Sequence, residues 1–361
     1  MKILLFGEFS GLFNMIHDGL EAEGHEVVMA SDGNGYKNYP RDLDWYVNPK
    51  SKLGRFRHFI ELKKVYDFRD QLRGFDVVYI IHPQLFSRYV WLIRPVYEYL
   101  IKNNDKVFIC GAGSTAVMTN YWLESGDKYQ RYIEGSLEDM PNLRKTFARK
   151  SLIDWEYELL DKVNGFIPIW YEYAQPFRNH PKLIETVRIP VNANDFVYVP
   201  NKVKDKIIFF HGVPTRPKAK GTEIIKEAFA KMEKAYGDVA EFHCAGGLPF
   251  DEYMNLISKT NVILDDANSY SIAMNGLFSL AKGKIVMGGA ESIANKELGI
   301  EGVNPVFNLC PDVDQICSQM EYIIEHKSEI EAMGLRGRKF VERYHDYREI
   351  ARKYIEIFEK Y

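Results

Sequence analysis

The chain has 361 residues and a nearly balanced charge, with 47 basic residues against 50 acidic residues. This length predicts about two domains, each large enough to bury a core. The lack of a basic excess argues against nucleic acid as the main partner, because proteins that bind the phosphate backbone usually carry one.

No targeting or membrane-spanning segment is evident at the start of the chain. The apolar run over residues 3–7 is interrupted by Glu8 and is too short for a signal peptide. No run approaches the roughly 18 apolar residues of a membrane span. The four cysteines lack C-x-x-C spacing, and Cys110 and Cys244 end apolar runs, so we expect buried free thiols in a reducing compartment. These features predict a cytoplasmic protein.

The chain begins with a strand over residues 3–6, a loop with Gly7 and Gly11, a helix over residues 12–23 and a strand over residues 26–30. This order predicts a parallel sheet. The loop reads G-x-x-x-G rather than G-x-G-x-x-G, so a tightly held dinucleotide is not expected. Gly7 and Gly11 either let a ligand approach the backbone or serve only the turn.

Residues 36–54 lack periodicity and predict a long loop. Basic and aromatic side chains are interleaved over residues 50–73: Lys50, Lys52, Arg55, Phe56, Arg57, Phe59, Lys63, Lys64, Tyr66, Phe68, Arg69 and Arg73. A helix of this kind suits an anionic membrane surface or a lipid-linked acceptor. Glu61, Asp67 and Asp70 dilute the charge, and an ordinary solvated helix is the simpler alternative.

Two more strands, over residues 76–81 and 106–110, end beside His82 and the segment 111–114. Ligands of open parallel sheets bind beyond the carboxyl ends of the strands. His82 is therefore a candidate acid, base or hydroxyl-binding group, although a histidine before a proline can also simply end a strand. A strand over residues 165–169 and a proline-bearing linker over residues 190–200 complete the first half.

The functional interpretation depends mainly on residues 206–222. A buried strand over residues 207–211 leads through a tight loop that starts at Gly212, and Thr222 opens an amphipathic helix. Such a unit directs backbone N–H groups and the positive end of a helix dipole at an anion. Arg216, Lys218 and Lys220 add positive charge at the same place, which favours a diphosphate as the ligand. Solvated cations beside a helix start are the alternative.

Alternating elements continue to the end of the chain. Strands are predicted over residues 240–244, 262–266 and 285–288, and helices over residues 222–236, 250–258, 272–282 and about 348–360. This order predicts two α/β domains. The first comprises residues 1–195 together with 345–361, and the second comprises residues 196–344.

Several segments resemble the GT-B glycosyltransferases of the large group 1 family, which is retaining and family 4-like. The resemblance lies in the loop with Arg216 and Lys220-Gly221 and in a short helix that ends at Gly283-Lys284 about 50 residues later. Residues 5–12, 24–33 and 339–346 resemble members that build bacterial surface polysaccharide. The resemblance implies two Rossmann-like parallel-sheet domains facing each other across a cleft, with the C-terminal helix crossing back to the first domain.

The resemblance also implies roles for single residues. Arg216 and Lys220 would contact the diphosphate of a sugar-nucleotide donor, and we add His82 as a catalytic candidate from its place at a strand end. The remaining candidate donor-binding residues are Gly7, Gly11, Gly212, Gly246, Asp266, Asn275 and Gly276.

Two positions depart from the family pattern. Glutamates that commonly hold the ribose and the donor sugar are replaced here by Phe278 and Tyr270. We expect Asp265, Asp266 or Asn268 to take over part of that task.

The resemblance implies a metal-independent, retaining hexosyltransferase. It would move a sugar from a UDP- or GDP-linked donor to a glycan or lipid-linked glycan, in capsule, O-antigen or related surface-polysaccharide synthesis. No separate cofactor and no nucleic acid partner are expected, and the protein would be cytoplasmic with a peripheral contact at the inner face of the membrane. The alternatives are a sugar-nucleotide epimerase or hydrolase on the same frame and a non-enzymatic nucleotide-sugar binder. An NAD-dependent oxidoreductase has the least support, because the dinucleotide fingerprint is absent.

Overall fold

The structure is a computed structural model that describes residues 1–52, 54–248 and 250–361. Leu53 and Pro249, which the sequence assigns to loops, lie outside the described residues. The chain divides into two compact units. Residues 1–120, 145–190 and 347–361 form the first unit, and residues 121–144 and 191–346 form the second.

The sheet of the first unit is parallel, with strand order β3-β2-β1-β4-β5-β6. Its strands are β1 (Lys2–Phe6), β2 (Glu26–Ser31), β3 (Leu43–Asp44), β4 (Val77–Ile80), β5 (Lys106–Gly111) and β6 (Gly165–Pro168). In the register of the central strands, Leu4 of β1 lies beside Val28 of β2 and Val78 of β4. Leu4 and Val78 are buried, as expected for a parallel sheet that is covered on both faces.

The sheet of the second unit is also parallel, with strand order β11-β10-β9-β7-β8. Its strands are β7 (Ile207–Val213), β8 (Ala240–Gly246), β9 (Val262–Leu264), β10 (Ile285–Gly288) and β11 (Phe307–Asn308). Its core includes Ile207 and Phe209 of β7 packed with Ile225 and Phe229 of the following helix. The two α/β units predicted from the sequence are therefore present.

Helices connect the strands of both sheets. In chain order they are α1 (Leu12–Ala22), α2 (Arg57–Asp67), α3 (Val90–Lys102), α4 (Ala116–Leu123), α5 (Lys128–Asp139), α6 (Pro141–Phe147), α7 (Lys150–Lys162), α8 (Tyr171–Ala174), α9 (Thr222–Tyr236), α10 (Phe250–Lys259), α11 (Met274–Ala281), α12 (Ser292–Glu297), α13 (Val313–Glu325), α14 (Ile330–Tyr344) and α15 (Tyr347–Lys360).

The C-terminal helix α15 belongs to the first unit, where it packs against α1. A side chain at Gly19 of α1 would place its Cβ 2.5 Å from the carbonyl oxygen of Tyr347, so a glycine is needed for this close approach. Tyr354 and Phe358 of α15 lie beside Tyr79 of β4, with ring centroids 5.3 and 5.7 Å away. The predicted return of the C-terminal helix to the first domain is thus confirmed.

Residues 121–144 belong to the second unit, whereas the sequence interpretation kept them in the first domain. The physical reason is that α5 packs against the loop between β7 and α9. A Cβ at Gly135 of α5 would lie 2.5 Å from the carbonyl carbon of Lys218. Contacts between segments so distant along the chain leave no local sequence pattern from which they could be predicted.

The cysteine expectation is only partly correct. Cys110 is buried in β5, but Cys244 is exposed on β8. Because β8 is the last strand at its edge of the second sheet, an apolar run there does not enclose every side chain.

Each sheet has one place where the direction of strand order reverses. In the first sheet it lies between β1 and β4, and in the second it lies between β7 and β9. Ligands of open α/β sheets bind outside the carboxyl ends of the strands at such a switch point. We call these places the first and the second switch point.

Candidate functional site

The second switch point contains an ion pair. Lys220, in the loop after β7, donates from Nζ to Oδ1 of Asp265 at 2.8 Å, and Asp265 directly follows β9. Lys220 keeps 20% of its side chain exposed, against 2% for Asp265. Burial alone would raise the pKa of Asp265, but the charge and hydrogen bond of Lys220 outweigh it and lower the pKa. An ammonium has three donors, so Lys220 can bind an anion without leaving Asp265.

Arg216 lies in the same loop and contacts helix α5. Its Nη2 donates to the hydroxyl of Tyr132 at 3.3 Å, and its Nη1 donates to Oγ of Ser136 at 3.4 Å. The guanidinium carbon lies 5.8 Å from the centroid of the Tyr132 ring. These contacts orient the guanidinium within the second unit.

Helix α5 also holds the backbone of this loop. Asp139 accepts from the backbone N–H groups of Lys218 at 2.9 Å and Ala219 at 3.2 Å. On the surface, Nζ of Lys218 donates to Glu138 at 2.8 Å. Sequence reasoning missed these partners because 80 residues separate them from the loop. The available signal was Gly135, since a glycine inside a helix is unfavourable unless another segment packs closely against it.

A neutral histidine fixes the base of the loop. The buried ring of His211 donates from Nδ1 to the carbonyl oxygen of Leu264 at 2.8 Å and accepts at Nε2 from the hydroxyl of Thr222 at 2.9 Å. Burial lowers the pKa of His211 to about 4, so the ring is neutral near pH 7. The carbonyl oxygen of Leu264 can only accept, so the proton is on Nδ1. His211 therefore ties β7 to the end of β9 and to the start of α9.

Two candidate glycines lie at strand ends: Gly212 is the next-to-last residue of β7, and Gly246 is the last residue of β8. A Cβ at Gly212 would lie 2.5 Å from the hydroxyl of Tyr253, and a Cβ at Gly246 would lie 2.6 Å from the carbonyl oxygen of Val213. Both positions are therefore packed against other residues of the second unit. Their proposed approach to a nucleotide stays a prediction.

The loop after Asp265 is held by its own polar groups. Asp266 accepts from the backbone N–H of Asn268 at 2.8 Å and from both the backbone N–H and the hydroxyl of Ser269, at 3.1 and 2.8 Å. Burial raises the pKa of Asp266. The amide of Asn268 donates to the carbonyl oxygen of Ala219 at 2.8 Å, which joins this loop to the one that carries Lys220.

Helix α11 lies next to Oδ2 of Asp265, whereas Lys220 binds Oδ1. The side chain of Asn275 lies near Asp265 and helps to lower the pKa of that carboxyl group. A Cβ at Gly276 would lie 3.3 Å from Oδ2 of Asp265, so this glycine allows the helix to approach the carboxylate. Asn275 and Gly276 thus lie at the second switch point, next to the ion pair.

Phe278 and Tyr270, which replace the glutamates of the family pattern, have aromatic neighbours. Phe278 is buried and stacks on Phe196, with ring centroids 4.4 Å apart and an interplanar angle of 22°. The Tyr270 ring lies 5.9 Å from that of Trp122, and the ammonium of Lys128 lies 5.7 Å from its centroid. Position 278 is therefore part of an apolar contact.

The first switch point is organised by a buried carboxylate. Glu8 is 1% exposed and accepts from the backbone N–H of Gly11 at 2.8 Å and from the backbone N–H and amide of Asn14 at 3.0 and 2.6 Å. Gly7 and Gly11 have φ angles of +95° and +86°, a region that favours glycine. The turn therefore requires both glycines, and a side chain of the protein already binds the N–H groups at the start of α1.

His82 lies at the same switch point, at the end of β4. Its Nε2 donates to the carbonyl oxygen of Ser114 at 3.2 Å, and its Nδ1 accepts from the backbone N–H of Gln84 at 3.0 Å. Burial lowers its pKa to about 4, so the ring is neutral near pH 7. Both ring nitrogens are engaged in joining two loops. A role as acid or base stays a prediction.

Nine of the ten candidate residues thus fall into two groups, and the tenth, Gly246, ends β8 beside β7. Six of them, Arg216, Lys220, Gly212, Asp266, Asn275 and Gly276, lie at or beside the second switch point. Gly7, Gly11 and His82 lie at the first switch point.

The sequence matches no protein-family model, and a search of curated proteins finds no match. Solved structures do match. A sucrose-phosphate synthase from Thermosynechococcus elongatus superposes with a TM-score of 0.67 at 13% identity, over 100% of this chain and 99% of that chain. HepE from Anabaena, in complex with UDP and glucose, superposes with a TM-score of 0.64 at 11% identity, over 100% of both chains. The chain has the GT-B fold.

The match confirms the α/β fold class and the GT-B fold that the sequence predicted. A UDP-GlcNAc 2-epimerase from Neisseria meningitidis, bound to UDP-GlcNAc, also matches, with a TM-score of 0.54 at 12% identity over 100% of both chains. Because a shared fold supports more than one chemistry, function has to be argued from the residues of the site.

Proposed function

We propose that this GT-B protein is a glycosyltransferase that moves a sugar from a nucleoside diphosphate sugar, UDP- or GDP-linked, to a hydroxyl group of a glycan or lipid-linked glycan. The observation that carries the proposal is the pair of cations Arg216 and Lys220 in one loop, at the carboxyl end of β7 beside the second switch point. A role in capsule, O-antigen or related surface-polysaccharide synthesis is part of the proposal and is supported by the sequence resemblance.

In this mechanism the loop holds the diphosphate as it leaves the sugar. Negative charge grows on the phosphate oxygens when the glycosidic bond breaks, and cations fixed in advance stabilise that charge. At about 4 Å and an effective dielectric constant near 20, one such ion pair has a Coulomb energy of about 4 kcal/mol before desolvation. The proposal assigns this charge stabilisation to Arg216 and Lys220 rather than to a metal ion, and it includes retention of the anomeric configuration.

The test uses two cations of the same loop. Replacing Arg216 with alanine should lower kcat/KM for the donor by tenfold or more, the scale of one charge-assisted hydrogen bond. The matched control is Lys218→Ala, because Lys218 is an exposed cation of the same loop that pairs with Glu138 on the surface. The control should keep nearly full activity. Equal activity of the Arg216 variant and the wild type would contradict the assignment.

A nucleotide-sugar binder without transferase activity is the second candidate function. It is favoured by Phe278, whose buried stack on Phe196 leaves an apolar side chain where the family commonly has a carboxylate. A sugar-nucleotide epimerase or hydrolase is a third candidate, since an epimerase shares the fold. Donor binding without product from a panel of glycan acceptors would favour the binder, and donor turnover without any acceptor would favour the third candidate.

We propose in addition that α2 forms a peripheral contact with an anionic membrane surface. In the described part of the chain, no helix is both long and apolar enough to cross a bilayer. On α2, however, Phe59 and Tyr66 are exposed, and the guanidinium of Arg69 lies 4.1 Å from the centroid of the Tyr66 ring. Exposed aromatic rings beside cations suit the boundary between lipid head groups and acyl chains.

Sedimentation with vesicles of anionic lipid tests this contact. The double variant Phe59→Ser and Tyr66→Ser should bind such vesicles at least tenfold more weakly than the wild type. Trp91→Ser is the control, since Trp91 is an aromatic residue of the first unit on helix α3 that is at least as exposed as Phe59 and Tyr66. Equal loss in both variants, or in neither, would contradict a contact through α2.

A further inference from the structure

The carboxylate of Asp265 lies at the centre of the proposed diphosphate site, where negative charge opposes the binding of an anion. Its Oδ1 accepts from Nζ of Lys220 at 2.8 Å, and only 2% of the side chain is exposed. A carboxylate in this place is unexpected, because the ligand that the loop is proposed to bind carries two or three negative charges itself.

Two neighbouring elements fix Asp265. Its backbone N–H donates to the carbonyl oxygen of Met287 in β10 at 2.9 Å. Its Oδ2 accepts a long hydrogen bond from the backbone N–H of Ala273 at 3.5 Å, just before α11, and the Asn275 side chain of that helix helps to lower the pKa of the carboxyl group. Because β10 holds its backbone and the residue before α11 contacts its carboxylate, Asp265 is the fixed member of the ion pair. Lys220, at the end of a flexible side chain, is the member that it orients.

The pair also sets the net charge of the site. Lys220 and Asp265 compensate each other, and a second buried carboxylate, Asp266, acts on Lys220 as well. A phosphate group that binds Nζ of Lys220 would lie roughly 6 Å from the Asp265 carboxylate. At that separation and an effective dielectric constant near 20, like-charge repulsion weakens binding on the order of tenfold to a hundredfold.

We propose that Asp265 is a positioning residue with two effects: it orients Lys220 toward the diphosphate, and its negative charge weakens the hold on the nucleoside diphosphate so that this product is released. This inference rests on the proposed function. A residue that served only the stability of the fold would not raise ligand affinity when replaced, so the second effect separates this role from a structural one.

Replacing Asp265 with asparagine tests the second effect. An asparagine oxygen can still accept from Lys220, so the substitution removes the charge and keeps the shape. In titration calorimetry of the full chain with UDP and with GDP, the variant should bind whichever nucleotide the wild type binds at least tenfold more tightly. The double variant Lys220→Gln and Asp265→Asn should bind the nucleotide more weakly than the single Asp265→Asn variant, because it lacks the cation that Asp265 is proposed to orient.

The outcomes distinguish the proposed role of Asp265 from the proposed glycosyltransferase function. A wild type that binds neither nucleotide would overturn both. A wild type that binds one of them, together with an equal or weaker affinity in the folded Asp265→Asn variant, would overturn the inference alone. If that variant does not fold, Asp265→Ser, which also removes the charge, is measured in its place, with the same gain expected and the same result overturning the inference.

Discussion

The two switch points contain the same kinds of structural element, but the buried carboxylate at each of them binds a different kind of partner. Each consists of a buried strand, a glycine-bearing loop and a helix, β1 to α1 in the first unit and β7 to α9 in the second. At the first, Glu8 binds the N–H groups at the start of the helix. At the second, the loop carries Arg216 and Lys220, and the buried Asp265 pairs with Lys220 rather than with the start of α9.

This difference shows how one local fold can be closed to an anion or open to it. A carboxylate at a helix start satisfies the N–H groups there and stabilises the helix dipole, so little remains to attract a phosphate. At the second switch point, Asp139 binds the backbone N–H groups of Lys218 and Ala219, which precede α9, and the loop carries the cations Arg216 and Lys220. We therefore expect substitutions at the second switch point to change ligand binding, and substitutions at the first to change stability alone.

The largest expected effect follows from breaking the ion pair at the second switch point. Replacing Lys220 with methionine leaves Asp265 buried without its cation, which should lower the free energy of unfolding by about 3–5 kcal/mol. The measurement is urea unfolding of the full chain followed by circular dichroism. The double variant Lys220→Met and Asp265→Leu, which removes both charges, should recover most of this loss. A single variant as stable as the wild type would show that the pair is not formed.

The next effect concerns His82 at the first switch point. Its pKa is lowered to about 4 in the folded protein, below the value of roughly 6.5 of an unfolded chain. It therefore contributes stability that is present above pH 6.5 and lost as the pH falls through 4, amounting to about 3 kcal/mol.

His82→Gln tests this contribution because glutamine can donate and accept but does not titrate. The difference in unfolding free energy between wild type and variant should shrink between pH 6.5 and pH 4.5. The pH dependence of sugar transfer between pH 5.5 and 7.5 should be the same in both proteins. A change in that profile would support the prediction that His82 acts as an acid or base.

The smallest effect is expected for Glu8→Gln. The glutamine retains one acceptor oxygen and loses the other, so unfolding should become easier by about 1–2 kcal/mol. Donor affinity should stay within twofold of the wild type. A large change in donor affinity would mean that the first switch point takes part in binding and would remove the contrast between the two loops.

Much of the fold follows from local sequence patterns. The apolar runs of β1, β4 and β7 predict buried parallel strands, and Thr222 marks the start of α9 correctly. Glycines followed by helical periodicity predicted both strand–loop–helix units. These features depend on neighbouring residues, which is why a single sequence reveals them.

The partners of the candidate residues could not be predicted in the same way. Asp265 was expected to help to hold the donor, but its contact with Lys220 depends on β7 and β9 being neighbours in the sheet. Tyr132 and Asp139 reach the loop from a helix about 80 residues earlier. The closure of the first loop by Glu8 depends on how the turn folds back, which its G-x-x-x-G pattern does not specify.

The most direct test is a crystal structure of the protein with UDP bound. The diphosphate should lie at the second switch point, with phosphate oxygens within hydrogen-bonding distance of Lys220 Nζ and the Arg216 guanidinium, while Glu8 keeps its contacts with Gly11 and Asn14. A diphosphate bound beside Glu8 and His82, or one that contacts neither Arg216 nor Lys220, would contradict the account.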